Sequence, residues 1–313
     1  LFIQDEWAIN SVVTTLAGMR IDHYGLHGPI FSPRLSVKFK PLENTNIRFN
    51  YGTGFRVVNL FTEDHAFVTG QREVQVASDI LPERSRNISI SLSQFVMVNS
   101  SQGNIDVDVF HTHFSNKIIP DYETPGLIVY ENSSGTARSQ GVAVSWNHAL
   151  LNGLRWNLGV TLQDATENEL VNGEKVKTPI QYTSKWSGNI TINYRFKPLG
   201  IDMAYTSNLN GPMHLPLVYD LDVNGQPRPN PRPTISQSFA LHNLQFTRNF
   251  RNQKGRVYCG LQNFTNYRQP VSPLIGFNDP NYPQGFSPFF DTAYAYSPLH
   301  GREFYIGIVY NIK

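Results

Sequence analysis

Residues 32–59 set the rhythm of the chain. Leu35, Val37 and Phe39 alternate with Arg34, Ser36, Lys38 and Lys40, and past a turn at 41–46, Ile47, Phe49 and Tyr51 alternate with Arg48, Asn50 and Gly52. Successive side chains of a strand point to opposite faces. This spacing therefore predicts two antiparallel strands with one apolar and one polar face. The polar face carries full charges at mid-strand, which suits a water-filled barrel interior better than one side of a sandwich. The same period recurs along the chain. Ile88, Ile90 and Leu92 oppose Asn87, Ser89 and Ser91, and Leu154, Trp156 and Leu158 alternate with Arg155, Asn157 and Gly159. Besides the two in 32–59, strands are predicted over 2–9, 12–23, 86–97, 104–118, 138–148, 154–163, 182–196, 200–208, 236–250, 255–266 and 301–312, about thirteen in all. A phase slip near His242-Asn243 reads as a bulge. Residues 126–130 read as an extension of a strand beyond the membrane.

Short turns alternate with long loops near 57–85, 115–137, 165–180, 209–235 and 267–299. Outer-membrane barrels keep their short turns on the periplasmic side and their long loops outside. The fold class expected is therefore all-β, an antiparallel transmembrane β-barrel. Trp7, Phe196, Tyr267, Phe304 and Tyr305 near strand ends fit interfacial girdles. By the loop pattern the first and last strands both descend. That leaves an odd number, so the partner strands are expected before Leu1. The chain starts directly in strand sequence, and it reads as a mature piece or a fragment.

Composition narrows the function. The 313 residues carry 26 Lys and Arg against 24 Asp and Glu, a net charge of +2, so bulk charge gives no support to nucleic-acid binding. Aromatic residues make up 12% and charged residues 16%. Mean hydropathy is −0.32, which a barrel tolerates because half its residues face water. No apolar run approaches the about 18 residues that a transmembrane helix needs. The single cysteine, Cys259, has no partner for an internal disulfide or a cysteine metal site. It reads as a packed or lipid-facing thiol.

Candidate chemistry is of the binding kind. Arg34, Lys38, Arg48, Arg56, Asp106 and Asp108 fall on the polar face. They either meet a passing solute or simply form a solvated wall. Arg56, at a strand–loop junction beside Gly54, is the strongest of them. Loop aromatics Tyr219, Tyr282, Phe286, Phe289, Phe290, Tyr294 and Tyr296 either recognise a planar or sugar-like ligand or pack the long loops together. His111 and His113 share an apolar strand face. No metal site and no resident cofactor are expected. No GxSxG, HExxH, phosphate loop or dinucleotide turn is present, so no catalytic residue is assigned and the protein is not expected to be an enzyme. A passive porin and a barrel hydrolase are the alternatives.

Several segments, in order, carry a family likeness: Phe2-Ile3-Gln4-Asp5-Glu6-Trp7, Gly18-Met19-Arg20-Ile21-Asp22-His23, Ser32-Pro33-Arg34-Leu35, Tyr51-Gly52-Thr53-Gly54-Phe55-Arg56, Leu81-Pro82-Glu83-Arg84-Ser85-Arg86-Asn87, Asn263-Phe264-Thr265-Asn266 and Gly301-Arg302-Glu303-Phe304. The chain resembles the C-terminal portion of a TonB-dependent outer-membrane receptor barrel of the Bacteroidetes kind. It departs from the family in Val57-Val58, where Ala-Pro is usual, and in Lys313, where many barrels end on an aromatic residue. The resemblance implies a barrel of about 22 strands around a plug, of which this chain supplies thirteen and not the plug. It implies import across the outer membrane of a scarce bulky nutrient of the iron-siderophore, haem or cobalamin class. It implies outer-membrane lipid, the TonB complex and a small-molecule or metal-chelate ligand as partners, and leaves a surface lipoprotein open. His65 sits in a loop where haem importers of the family place a histidine. It is either an axial haem ligand or a solvated loop residue.

Overall fold

The structure is a computed structural model and describes residues 1–57, 73–121, 127–171, 174–221, 226–250, 254–272 and 294–310. Its strands are β1 (Phe2–Ala8), β2 (Val13–His23), β3 (Pro29–Leu42), β4 (Thr45–Arg56), β5 (Glu73–Val76), β6 (Glu83–Val98), β7 (Ser101–Ser115), β8 (Ile118–Asp121), β9 (Leu127–Asn132) and β10 (Thr136–Ala149). They continue as β11 (Leu154–Val171), β12 (Glu174–Pro179), β13 (Trp186–Phe196), β14 (Ile201–Asn210), β15 (Tyr219–Leu221), β16 (Pro227–Pro231), β17 (Phe239–Asn249), β18 (Gly255–Gln262) and β19 (Glu303–Tyr310). One 14-stranded sheet follows the order β1-β2-β3-β4-β6-β7-β10-β11-β13-β14-β17-β18-β19, with β12 paired to β11 off this path. The strands of that path are those the alternation predicts. Along it, neighbouring strands from β1 to β4 and from β11 to β19 pair antiparallel.

The apolar face is the exposed one. Ile88, Ile90 and Leu92 of β6 are 45%, 51% and 38% exposed, and Phe304, Ile306 and Ile308 of β19 are about 70% exposed. The polar neighbours are half-buried and bonded to one another. Asn50 accepts from the Ser36 hydroxyl at 2.8 Å and donates to Ser89 at 3.3 Å, and Asn87 donates to Thr112 at 2.7 Å. A sheet in water would bury the first set and expose the second. This reversal is the arrangement of a membrane barrel wall, apolar toward lipid and polar toward the lumen. Cys259 sits opposite Phe246 and Ile306 on the apolar face.

The structure departs from the sequence expectations in five places. The segment 165–180, read as a polar loop, is a hairpin: β11 runs on to Val171 and β12 returns on it in register from Val171↔Glu174 to Thr166↔Pro179. Its residues are polar on both faces, so no apolar stripe marked it. Within 126–130, the described residues 127–130 do not extend a barrel strand. Instead β9 pairs parallel with β5 and antiparallel with β8, burying Ile118, Ile128 and Tyr130 under Val74, Val76 and Ile80. Parallel pairing between distant segments leaves no local period to read. No bulge breaks β17 against β14, whose register is continuous from Ile201↔Arg248 to Asn210↔Phe239. The apparent slip is His242, a polar residue on the apolar face, hydrogen-bonded to the Tyr205 hydroxyl at 2.9 Å. The turn at 41–46 tightens to Glu43-Asn44, because Leu42 pairs with Thr45 beyond a register shift after Phe39. Tyr305 belongs to the polar face and not to a girdle: it lies opposite Gly260, and its hydroxyl donates to Gln245 at 2.8 Å.

The chain divides into two compact units. One comprises Leu1–Leu92, Asp108–Val142 and Gln163–Ile180; the other comprises Ser93–Val107, Ala143–Leu162 and Gln181–Lys313. In the second unit aromatic rings gather by the short turns. Trp146 meets Trp156 edge-on at 5.1 Å, His148 stacks on Trp156 at 5.0 Å, and Tyr194 meets Phe196 at 4.5 Å. Rings with an apolar body and a polar tip favour the membrane–water boundary.

Candidate functional site

In the first unit β1 to β4 present a row of charges on the polar face. Arg34 donates to the Gln4 side chain. Gly18 leaves the guanidinium its room, since a Cβ there would lie 3.1 Å from Nε. Arg20 pairs with Asp22 at 2.7 Å. A cleft of about 650 Å³ lies against Arg20, Asp22, Ser32, Arg34, Thr53 and Gly54. Lys38 and Arg48 stand directly opposite each other in the β3–β4 register. Two like charges so placed repel, and the wall tolerates them because water reaches both.

Arg56 closes the end of β4. Its guanidinium donates to Glu83 at 3.2 Å and to the Ile118 carbonyl at 3.5 Å, and the same Glu83 oxygen accepts from the Ile118 backbone at 3.1 Å. Arg56 is therefore a bracket joining the ends of three strands, and 43% of its side chain still reaches solvent. Lys117 and Glu167 form a second bracket at 2.6 Å. Asp108 is half-buried on β7. His111 meets Gln140 at 3.1 Å. In the second unit Asp106 accepts from Asn104 at 2.6 Å and from Ser145 at 3.4 Å, so its hydrogen-bond partners are amide and hydroxyl groups.

The loops of the second unit are organised around Arg232, which sequence reasoning missed. The side chain is 6% exposed and grips Asp220 through Nε at 3.0 Å and Nη2 at 2.5 Å. It also donates to the Ser272 carbonyl and lies over the Tyr294 ring at 5.1 Å. Tyr294 is 1% exposed and donates its hydroxyl to the Pro233 carbonyl at 2.6 Å. The ring packs loops together and offers no face for a ligand to stack on. Gln269, also buried, donates to the carbonyls of Val271 and Tyr294 and accepts from the backbone of Tyr296 and Ser297. Asn263 and Asn266 adopt left-handed backbones, φ 46° and 59°, which asparagine enters more readily than most residues. Their side chains cap Tyr267 and Arg302. The Asn-Phe-Thr-Asn segment was visible in the sequence; its role as a turn lock was not. Tyr219 lies on β15 and is 37% exposed. His65, Tyr282 and Phe286 lie outside the described residues, as do Phe289 and Phe290.

Burial, with smaller contributions from Tyr267 and Tyr294, pushes the Tyr296 phenol up to about 12 from 10.0. The fold thus favours the neutral phenol. Its contribution is fully present below pH 10 and is lost as pH rises through 12. Protease sensitivity of the segments around Tyr267 and Tyr296 should therefore climb between pH 10 and 12, and Tyr296→Phe should remove part of that climb. A profile flat over this interval would contradict the burial of the ring.

Reversed faces, antiparallel neighbours and long loops together define a transmembrane β-barrel wall. The chain belongs to the TonB-dependent receptor family: residues 1–298 match the family model described as TonB dependent receptor-like, beta-barrel. It is similar in fold to the FrpB iron transporter from Neisseria meningitidis, at 13% identity and a TM-score of 0.66 over 98% of this chain and 44% of that one. It is likewise similar to the ferric-catecholate import receptor Fiu from E. coli, at 14% identity and a TM-score of 0.65 over 98% and 43%. A stretch of 120 residues, 37% of this chain and 18% of the relative, is 32% identical to the iron-regulated outer membrane virulence protein of Vibrio cholerae. The chain thus spans less than half the length of the relatives it matches. It resides in the Gram-negative outer membrane, in a family of transporters and receptors.

Proposed function

We propose that the chain is the C-terminal portion of the barrel of a TonB-dependent importer, one that takes up a scarce bulky nutrient of the iron-siderophore, haem or cobalamin class. The observation that carries this reading is the reversed wall of a family barrel, lined with charges and amide side chains. Such a lumen passes polar solutes and needs gating to avoid leakage. The names of the relatives favour an iron chelate within that class. Ligand capture falls to the long loops, with Arg56 at the rim and His65, Tyr219, Tyr282 and Phe286 as the proposed contacts. Arg34, Lys38, Arg48, Asp106 and Asp108 are proposed to face the plug or the passing solute. The TonB complex supplies the energy, and a surface lipoprotein is a proposed partner.

Uptake of radiolabelled ferric chelates by cells carrying the whole receptor tests this. Accumulation should require both the receptor and TonB. Uptake that persists without TonB, or steady conductance in planar bilayers, would mark a passive channel instead.

A further inference from the structure

A second cleft, of about 590 Å³, lies at the short-turn end of the second unit. Arg155 of β11, Arg195 of β13 and Arg256 of β18 converge on it, and Asp202 is the one acidic residue among its lining. Arg195 pairs with Asp202 at 3.6 Å, and Asn249 donates to the same carboxylate at 3.1 Å. One anion thus already sits where cationic and amide donors meet. Arg155 and Arg256 are exposed on the polar face and have no hydrogen-bond or ion-pair partner among the described residues. Gly153, at φ 93°, lies beside Arg195, its Cβ position in ordinary contact with that residue at 3.4 Å.

Three guanidinium groups around one carboxylate leave two positive charges uncompensated. Unlike Lys38 and Arg48, which only face each other, these are held about a concavity of small-molecule size. Guanidinium forks match the planar oxygens of carboxylates and phosphates, and low-dielectric walls concentrate their field. The lining lies toward the ends at which β10 leads to β11, β13 to β14 and β17 to β18, ends that are periplasmic in barrels of this kind.

We propose that this cleft is a binding site for a small multivalent oxyanion, a polycarboxylate or phosphate compound of about the size of citrate, at the periplasmic end of the lumen wall. The site requires no energised transport and goes beyond the import reading.

Titration calorimetry on the full protein in neutral detergent, with citrate and with inorganic pyrophosphate, tests it without TonB. At least one of the two should bind at a single site and weaken with added salt. Citrate alone would assign the carboxylate source and pyrophosphate alone the phosphate source. Arg155→Gln with Arg256→Gln should weaken binding at least tenfold. Arg248→Gln, on the apolar face of β17, should leave it unchanged. Each single variant gives an intermediate loss should the double variant fail to fold, which heat-modifiable gel migration reports. Failure of both anions to bind overturns the proposal, as does binding indifferent to Arg155 and Arg256 or equally weakened by the Arg248 control.

Discussion

Arg232→Ala should release the loops of the second unit while leaving the strands folded. The substitution removes the two-pronged grip on Asp220, the bond to the Ser272 carbonyl and the contact with the Tyr294 ring. Hydrogen bonds to charged groups contribute about 1.5–3 kcal/mol each, and breaking a fully buried pair costs about 3–5 kcal/mol. Asp220 is 43% exposed, so water recovers part of its loss. The expected net cost is about 2–3 kcal/mol of local stability, a roughly thirtyfold to 150-fold rise in loop opening. Hydrogen exchange of the β15 and β16 amides reads it directly. Arg232→Lys should recover less than half, because an ammonium keeps the charge but not the fork. Tyr294→Phe should cost only about 1 kcal/mol, the bond to Pro233. Exchange unchanged in the alanine variant would show that the loops are held by something other than Arg232.

The second large effect is expected in the pairing of β18 with β19. Tyr305 covers Gly260, and Tyr258 covers Gly307, as two reciprocal cross-strand pairs on the polar face. An aromatic ring lying over a glycine shields backbone that a side chain would otherwise protect. The two glycines are not equivalent. The three atoms nearest a Cβ on Gly307 all belong to the Tyr258 side chain, whereas one on Gly260 would also lie 2.7 Å from the Leu244 carbonyl oxygen. A ring can swing aside and backbone cannot. Gly307→Ala should therefore be tolerated once Tyr258→Ala accompanies it. Gly260→Val should cost about 2–4 kcal/mol, and Tyr305→Ala should not restore it. Urea unfolding of the detergent-folded protein, followed by heat-modifiable migration, measures both. Full rescue of Gly260→Val by Tyr305→Ala would mean that β17 yields at Leu244.

How the loops are held decides how this chain presents a binding surface. Tyr294 illustrates the difference between a loop aromatic and an exposed one. Proline and tyrosine near Arg232 read equally as a ligand platform or as packing. Only the placement of the guanidinium over the ring, with the hydroxyl spent on Pro233, made it packing. Arg56 shows the same ambiguity from the other side. Its position at the end of β4 was legible, but its bond to Glu83, 27 residues away, was not.

By itself the sequence determined the thirteen wall strands and which face of each is apolar. Each of these is set within a strand or between neighbours, and a period of two residues reports it directly. It also carried the family motifs, Phe2 to Trp7 and Tyr51 to Arg56 among them, because they lie contiguous along the chain. The tertiary structure alone decided that β5 pairs with β9, that Arg232 rather than an exposed tyrosine organises the loops, and that Arg155, Arg195 and Arg256 share a cleft. These contacts join residues tens of positions apart. Their partners are chosen by where chain ends and strand registers bring them, and no local pattern of hydrophobic and polar residues encodes that choice.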